Sequence, residues 1–554
     1  MVSDSSASLW LLPVVAAQVV IVWRRLLAYL RYFQQESYDR ARLLAWTGTR
    51  SLTDPAFWLS VAAAWAWDRG ILSTAVVSLL FTAVGLVLAA GQPDPRRSGK
   101  ITLKMTWRAT RVVSAAAVLA LGLWTVWLTI DRVDVRGTLT AGALVLAGLP
   151  LWLVGADAVL SPYERLVQRS FERDAFQILR RVHPMVIGIT GSYGKSSTKA
   201  MLAHILQFKA PTLAATGSIN TLMGITRHIR EQLVPGHRFL VVEMGAYGIG
   251  SIRRLCRLTP PSAAIITAVG DMHLERFGSL EAIVAAKREL AEALPAGGLL
   301  VVNADSPGAL QVAKTVADRR VLLYGESSSE DLETRLEQVR FTTDGTMFVL
   351  ATRGRQYGCF APIHGRPIVL NLAGAFTLAV ALGLDPELVV ASFATLKPVA
   401  NRLEVVTDRG ITWIRDAYNA NQFGFRAALE LVASLPAERR ILVTPGVIEL
   451  GSSQAEVNRG LSRDAAAVCD TTIVVSDTNR EAFLAGHRDV HREDRLVPVV
   501  ARADAFRWLS EHSRSGDAVV LENDLPDLYE RADGVFWRAG TTHRDGRTAL
   551  EAPP

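Results

Sequence analysis

The first 160 residues are dominated by apolar runs separated by short polar stretches. Leu9–Trp23 is an apolar run without a charge, and Phe57–Trp67 is apolar but short. Ile71–Ala90, Val112–Ile130 and Thr138–Leu160 each come near the roughly 20 residues that cross a hydrocarbon core, the last carrying one acid, Asp157. This pattern predicts a membrane region over residues 1–160 with about five transmembrane helices. In the stretch Tyr163–Val182, Leu166, Phe171, Phe176, Ile178 and Leu179 recur among arginines. That spacing predicts an amphipathic helix over 161–183, a connector lying along a membrane surface or a plain soluble linker. After Pro184 the pattern changes to short apolar strands alternating with helical stretches, the mark of an α/β fold with parallel strands. We expect one such domain over 184–398, with Arg340–Ala351 and Gln356–Ala361 as an antiparallel side hairpin. A second, Rossmann-like α/β domain is expected over 399–540, with Ile441–Thr444, Thr472–Val475 and Ala518–Leu521 as buried strands. Residues 541–554 read as a flexible tail.

Charge orients the apolar runs. The Trp23–Phe57 connection carries Arg24, Arg25, Arg31, Arg40, Arg42 and Arg50, and the Ala90–Val112 connection carries Arg96, Arg97, Lys100, Lys104, Arg108 and Arg111. Arg165, Arg169, Arg173, Arg180 and Arg181 come after the last run, whereas the turns at Asp68–Gly70 and Asp131–Gly137 are short and nearly balanced. The positive-inside bias places the basic stretches and everything after Leu160 in the cytoplasm of a bacterial-type plasma membrane, with the N-terminus outside. A re-entrant Phe57–Trp67 would leave four crossings and invert the N-terminus. No small-residue cleavage site follows Trp23, which argues against a signal peptide. The net charge of +7 is largely accounted for by these flanks, so membrane lipid is the expected partner and nucleic acid is not. Cys256, Cys359 and Cys469 are far apart, without the spacing of a zinc site or a disulfide framework.

Candidate chemistry lies in the second half. Met185–Thr190 is a β-rich run, followed at once by Gly191-Ser192-Tyr193-Gly194-Lys195-Ser196-Ser197-Thr198 and a helix-like Lys199–Phe208. A strand, a glycine-rich turn and Lys-Ser opening a helix form a phosphate cradle. Glycines let backbone N–H groups approach phosphate, and the helix start adds partial positive charge. Lys195 is placed to bridge the β- and γ-phosphates of a nucleotide, and Ser196 to hold Mg²⁺. General Walker spacing asks for glycine at 189, where Ile189 stands; Gly188 is one place early. Glu243 ends the apolar strand Arg238–Val242, where carboxylates face the ligand crevice of α/β folds.

The string Thr190-Gly191-Ser192-Tyr193-Gly194-Lys195-Ser196-Ser197 resembles the ATP loop of Mur ligases and folylpolyglutamate synthases. The chain downstream of this loop resembles in particular the Mur ligases that add D-alanyl-D-alanine. The resemblance is carried by Glu243-Met244-Gly245-Ala246, Ile266–Ser279 with His273, Ala286-Lys287-Arg288-Glu289, Val302–Asp305, Arg402-Leu403-Glu404, Asp416–Asn421 and Glu449–Gly451. These segments occur in order over roughly residues 185–540. The resemblance implies an ATP-dependent acid–amino-acid ligase. It implies Mg²⁺ held by Ser196, Glu243, His273 and a carbamylated Lys287 (N6-carboxylysine), with Glu289 left to the surface or the substrate side. It further implies ATP held by Gly191, Ser192, Gly194, Lys195, Ser196, Ser197, Asn371, Arg402 and Asp416. Asp416 would take the ribose hydroxyls, Asn371 the adenine and Arg402 the phosphates. Asn220, Thr221, Tyr418, Asn419 and Asn421 fall on the substrate side.

The departures also fall mainly on the substrate side. Membrane helices stand where the family carries a soluble domain for the UDP-sugar, Leu521–Asp527 replaces a "K-G-S" stretch, and Gln422-Phe423-Gly424 replaces a "P-x-S". Pro367-Ile368 stands where the family has a His-Asn pair near the base. Three substrate readings stay open: D-alanyl-D-alanine onto a muramoyl tripeptide, a lipid-linked peptide, and an amino-acid polymer such as polyglutamate. From a different class stand a catalytically inactive ATP-binding membrane scaffold and a nucleotide-gated transporter. The presence of Lys195, Glu243, His273 and Lys287 together speaks against both.

Overall fold

In the computed structural model the described residues are 5–48, 54–97, 102–131, 133–270, 274–316, 318–327, 331–417, 421–448 and 450–523. They form a helical unit up to residue 167 and an α/β unit from residue 168. The tail expected over 541–554 lies outside the described residues.

In the helical unit, four helices are long and apolar enough to cross a membrane: Trp10–Gln35, Thr74–Gly91, Trp107–Ile130 and Val135–Val182. The Phe57–Trp67 run folds as the helix Pro55–Asp68, of 14 residues. At 1.5 Å per residue that is about 21 Å, short of a hydrocarbon core of about 30 Å. Four candidate spans therefore stand, among the described residues, where the sequence pattern predicts about five. The basic connection after Trp23 is itself helical, since the first helix runs on to Gln35 and Arg40–Thr47 forms another. Ala17, Ile21, Phe81, Ala116 and Leu139 fill the centre of the bundle, while Leu12, Leu79, Val87, Val118 and Val159 stay exposed. An apolar exterior of this kind suits a lipid surround.

Buried charges inside this bundle are paired. Arg25, 1% exposed, holds Asp54 at 2.8 Å and also donates to Gln92. Asp54 caps the helix Pro55–Asp68 and Gln92 stands at the C-cap of Thr74–Gly91, so this triad ties two helix ends to the first helix. Asp157, the acid within the last apolar run, takes Arg40 at 2.8 Å and Arg108 at 3.0 Å, and Arg111 holds Glu164 at 2.6 Å.

The amphipathic stretch expected as a separate connector is the second part of a single 48-residue helix, Val135–Val182, which contains Pro150 and Pro162. Its last turns bury Ala175 and Leu179 in the core of the α/β unit with Ile225 and Ile229. Arg230 pairs with Asp174 at 2.6 Å and lies over the Phe171 ring. Leu179 of the apolar stripe is thus covered by protein, while Leu166, Phe171 and Phe176 stay exposed.

The α/β unit contains two sheets. The first has nine strands: β1 (Met185–Thr190), β2 (Thr212–Ala214), β3 (Phe239–Glu243), β4 (Ala263–Ile266), β5 (Leu299–Asn303), β6 (Arg320–Gly325), β7 (Leu332–Thr342), β8 (Gly345–Thr352) and β9 (Arg355–Ala361). Their order is β2-β3-β1-β4-β5-β6-β7-β8-β9, parallel as far as β7. β3, β4 and β5 are buried along their whole length, which explains their uninterrupted apolar runs. The expected side hairpin is a three-stranded antiparallel meander joined to this sheet. Arg340–Ala351 is not one strand, because the chain turns at Asp344 between β7 and β8.

The second sheet has the order β10-β11-β15-β12-β13-β14, from Glu404–Asp408, Ile411–Asp416, Asp517–Glu522, Arg439–Thr444, Thr471–Val475 and Leu496–Val499. Its strands run parallel except for the β10–β11 hairpin. In the first sheet the chain leaves β1 for β2 and β3 on one side, then crosses to β4 on the other. The crevice beyond the C-terminal ends of β1, β3 and β4 is therefore a topological switch point, where open α/β sheets bind ligands.

Candidate active site

Three of these strand ends deliver the chemistry. β1 ends at Thr190 and the glycine-rich loop comes next, with the helix Lys195–Gln207 behind it. Gly191 has φ +154°, and a Cβ there would lie 2.0 Å from Thr267 Oγ1. Gly194 is left-handed, and a Cβ there would lie 2.3 Å from Asn371 Nδ2. The loop is thus clamped between the end of β4 and the helix Arg366–Ala381, which carries Asn371. Ser192 reinforces the clamp, donating through Oγ to the Gly270 carbonyl at 3.0 Å while its N–H bonds Ala268 at 2.7 Å. The early glycine, Gly188, is a packing position instead: a Cβ would strike Leu290 at 2.7 Å.

Lys195 bends over the loop and donates to the carbonyls of Gly191 at 2.8 Å and Ser192 at 3.1 Å. Burial is the largest influence on it and pulls its amine down to about 8, against a counter-pull from Glu243. Ser196 faces Glu243, its hydroxyl donating to Oε2 at 2.9 Å. Ser197 is buried on the inner side of its helix. Glu243, 2% exposed at the end of β3, also accepts from Lys199 at 3.4 Å and from the Asn220 amide at 3.3 Å. Lys287 projects from the helix Leu280–Glu292 into a cavity of about 40 Å³ that it shares with Gly191, Lys195, Asn220 and Tyr247. Burial, with Lys195 nearby, holds the Lys287 amine well below its usual range.

Thr221 caps the helix Leu222–Gln232 by accepting from Gly224 N–H at 3.3 Å. Asn421 caps Gln422–Ser434, accepting from Phe423 and Gly424 N–H groups at 3.0 Å. Both therefore fix the starts of their helices. Asp416 ends β11, and burial pushes its carboxyl up to about 7 against the opposing field of Arg402, which also acts on Lys195. The second domain meets the loop where the Tyr193 and Phe423 rings approach to 5.6 Å. His273, Tyr418 and Asn419 lie outside the described residues, as does Glu449.

Two residues, Lys199 and Glu522, escaped the sequence reading, and a third, Glu289, was expected at the surface or on the substrate side. Lys199 repeats Lys195 one helical turn later, a spacing that puts both on one face. Glu289 is not on the surface. It is 2% exposed and accepts from Gly250 N–H at 2.5 Å and Arg253 N–H at 2.9 Å, which caps the helix Ser251–Leu258 from outside. Glu522, at the end of β15, stands in register with Asp416 and accepts from Thr444 at 2.7 Å. Burial drives its carboxyl well above the usual carboxylate range.

Among the described residues no three His, Cys, Asp or Glu side chains form a metal cage. Ser196 and Glu243 nevertheless offer hard oxygen donors at one point beside the phosphate loop. That suits Mg²⁺, which takes one or two carboxylates and fills its shell with phosphate and water.

Comparison with known proteins agrees with this layout. Family profiles match the Mur ligase middle domain over residues 189–379 and the Mur ligase glutamate ligase domain over 401–522. The UDP-N-acetylmuramoyl-tripeptide–D-alanyl-D-alanine ligase of Bacillus subtilis is 30% identical over 370 residues, covering 64% of this chain and 77% of that protein. The Mycobacterium tuberculosis enzyme of the same name is 32% identical over 366 residues, covering 61% and 70%. Among solved structures, MurF from Acinetobacter baumannii superposes with TM-score 0.59 at 24% identity, covering 64% of this chain and 77% of that one. The MurF ligase of Thermotoga maritima in complex with ADP gives TM-score 0.57 at 24% identity, covering 64% and 80%.

Proposed function

The chain belongs to the Mur ligase family of ATP-dependent ligases, and on that premise we propose that it forms amide bonds through an acyl phosphate while anchored in the bacterial plasma membrane. The observation that carries this reading is the meeting of Lys195, Ser196, Glu243 and Lys287 at the switch point of the first sheet.

In the first step a substrate carboxylate oxygen attacks the γ-phosphorus of ATP, the bond to the bridging oxygen breaks, and ADP leaves. In the second, an amine attacks the acyl carbon, loses a proton, and expels inorganic phosphate. Such phosphoryl transfer needs alignment and charge neutralisation rather than a covalent nucleophile. The loop N–H groups and Lys195 hold the β- and γ-phosphates. Arg402 and Asp416, from the second domain, approach the same nucleotide from its phosphate and ribose sides, and Asn371 takes the base. Ser196, Glu243, His273 and a carbamylated Lys287 would hold Mg²⁺, which supplies charge neutralisation on the transferring phosphoryl group. Carbamylation of Lys287 suits its place, because a buried amine crowded by Lys195 is relieved when it becomes an anion.

The amine and carboxylate are those of cell-wall peptide assembly, with D-alanyl-D-alanine and a muramoyl tripeptide as the reference pair set by the similar ligases. The four candidate spans favour a carboxylate presented at the membrane, a lipid-linked peptide, with the catalytic unit on the cytoplasmic side. Phosphate release by the detergent-purified protein across a panel of carboxylates and amines tests this. Release should require ATP, one carboxylate and one amine together. ATP hydrolysis indifferent to both would instead favour a scaffold or transporter.

A further inference from the structure

Glu243 is sealed from solvent, yet the two neutral groups that touch it, the Ser196 hydroxyl and the Asn220 amide, bring no charge to balance its own. A buried carboxylate left without a counter-ion is strongly destabilising. Lys199 supplies that counter-ion. Its side chain is 3% exposed, and its ammonium lies 3.4 Å from Glu243 Oε2. Its second bond goes to the Gly217 carbonyl, in the loop that also brings Ser218 to within 3.1 Å of Ser196 and Asn220 to Glu243. The ammonium therefore sits on the same oxygen that Ser196 marks as the metal-side face of Glu243.

We propose that Lys199 is a tethered place-holder cation for the divalent-metal site. It balances the charge of Glu243 and keeps the side chain aimed when no metal is bound, and it yields Oε2 to the metal while keeping its hold on Gly217. This rests on Glu243 being a metal ligand. Two positive charges competing for one carboxylate oxygen oppose each other, so the lysine stabilises the metal-free protein and weakens metal binding.

The test uses Mn²⁺ as the probe, titrated by electron paramagnetic resonance into the full-length protein in detergent, alongside thermal unfolding with and without Mg²⁺. Lys199→Met should bind Mn²⁺ at least about fivefold more tightly, and its metal-free unfolding temperature should drop and recover when Mg²⁺ is added. Lys199→Arg, which keeps the charge, should stay within about twofold of the wild type. Unchanged or weaker Mn²⁺ binding by Lys199→Met overturns the proposal. So does a stability loss that metal does not restore, or a chain that cannot fold even with Mg²⁺ present. If wild-type protein and Glu243→Gln bind Mn²⁺ alike, the metal site itself is misassigned. If Glu243 matters and Lys199→Met matches the wild type, only the place-holder role fails.

Discussion

Buried charge is arranged in opposite ways in the helical unit and around Glu243. In the bundle, Arg25 faces Asp54, Asp157 faces Arg40 and Arg108, and Arg111 faces Glu164, each at hydrogen-bonding distance. In the catalytic crevice, Lys195, Lys199 and Lys287 all feel the one carboxylate of Glu243. The first arrangement is complete within the protein and fixes helix ends. The second leaves three lysines sharing one acid, an arrangement to be completed by a polyphosphate and, at Lys287, by the proposed carbamate. The difference teaches that what marks a binding site is the imbalance of its buried charges, not their presence.

The sharpest way to break this contrast is Lys195→Ala. Removing the cation nearest the phosphate loop should lower turnover by a factor of about a thousand or more, measured as phosphate release, with the helical unit unaffected. Next comes Asp54→Asn in the bundle. It keeps the helix cap and strands Arg25, costing about 3–5 kcal/mol of stability in detergent unfolding while turnover per folded molecule stays unchanged. A loss of turnover without a loss of stability would erase the distinction between the two regions. Lys287→Ala should slow the reaction roughly 100-fold, with short-chain carboxylic acids restoring part of it. Full activity without rescue would remove the carbamate from the site.

The smallest effect concerns the second sheet, where Asp416 and Glu522 pair like charge with like charge at neighbouring strand ends. Both carboxyls are raised by burial, Asp416 to about 7. The native state then holds protons that the unfolded chain releases, so this contribution is full below the usual carboxylate value and fades as pH rises through about 7. Thermal unfolding followed from about pH 5 to about pH 8 should show that decline, and Glu522→Gln should flatten it.

Much of the crevice was legible in the sequence because its strands are buried on both faces and their ends carry the polar groups. Met185–Thr190 is β1 residue for residue, and Glu243 stands at its strand end as expected. What stayed hidden depends on partners remote in sequence. Glu289 looks like any helix acid until the helix Ser251–Leu258, with no side chain of its own to cap it, turns its first N–H groups toward it. Glu522 looks like a strand-end acid until β15 inserts between β11 and β12 and sets it beside Asp416. Phe57–Trp67, the run whose re-entrance would leave four crossings, folds as a 14-residue helix shorter than the four candidate spans. Lys199 alone left a signal in the spacing, one turn after Lys195.

Gly194 closes the phosphate loop directly against Asn371, with no room for even a methyl group. The loop therefore cannot be retuned by decorating that turn, since any side chain there would push away the group assigned to the base. On the proposed nucleotide reading, redesign for another nucleotide should begin instead at Pro367 and Ile368, one turn before Asn371 on the same helix.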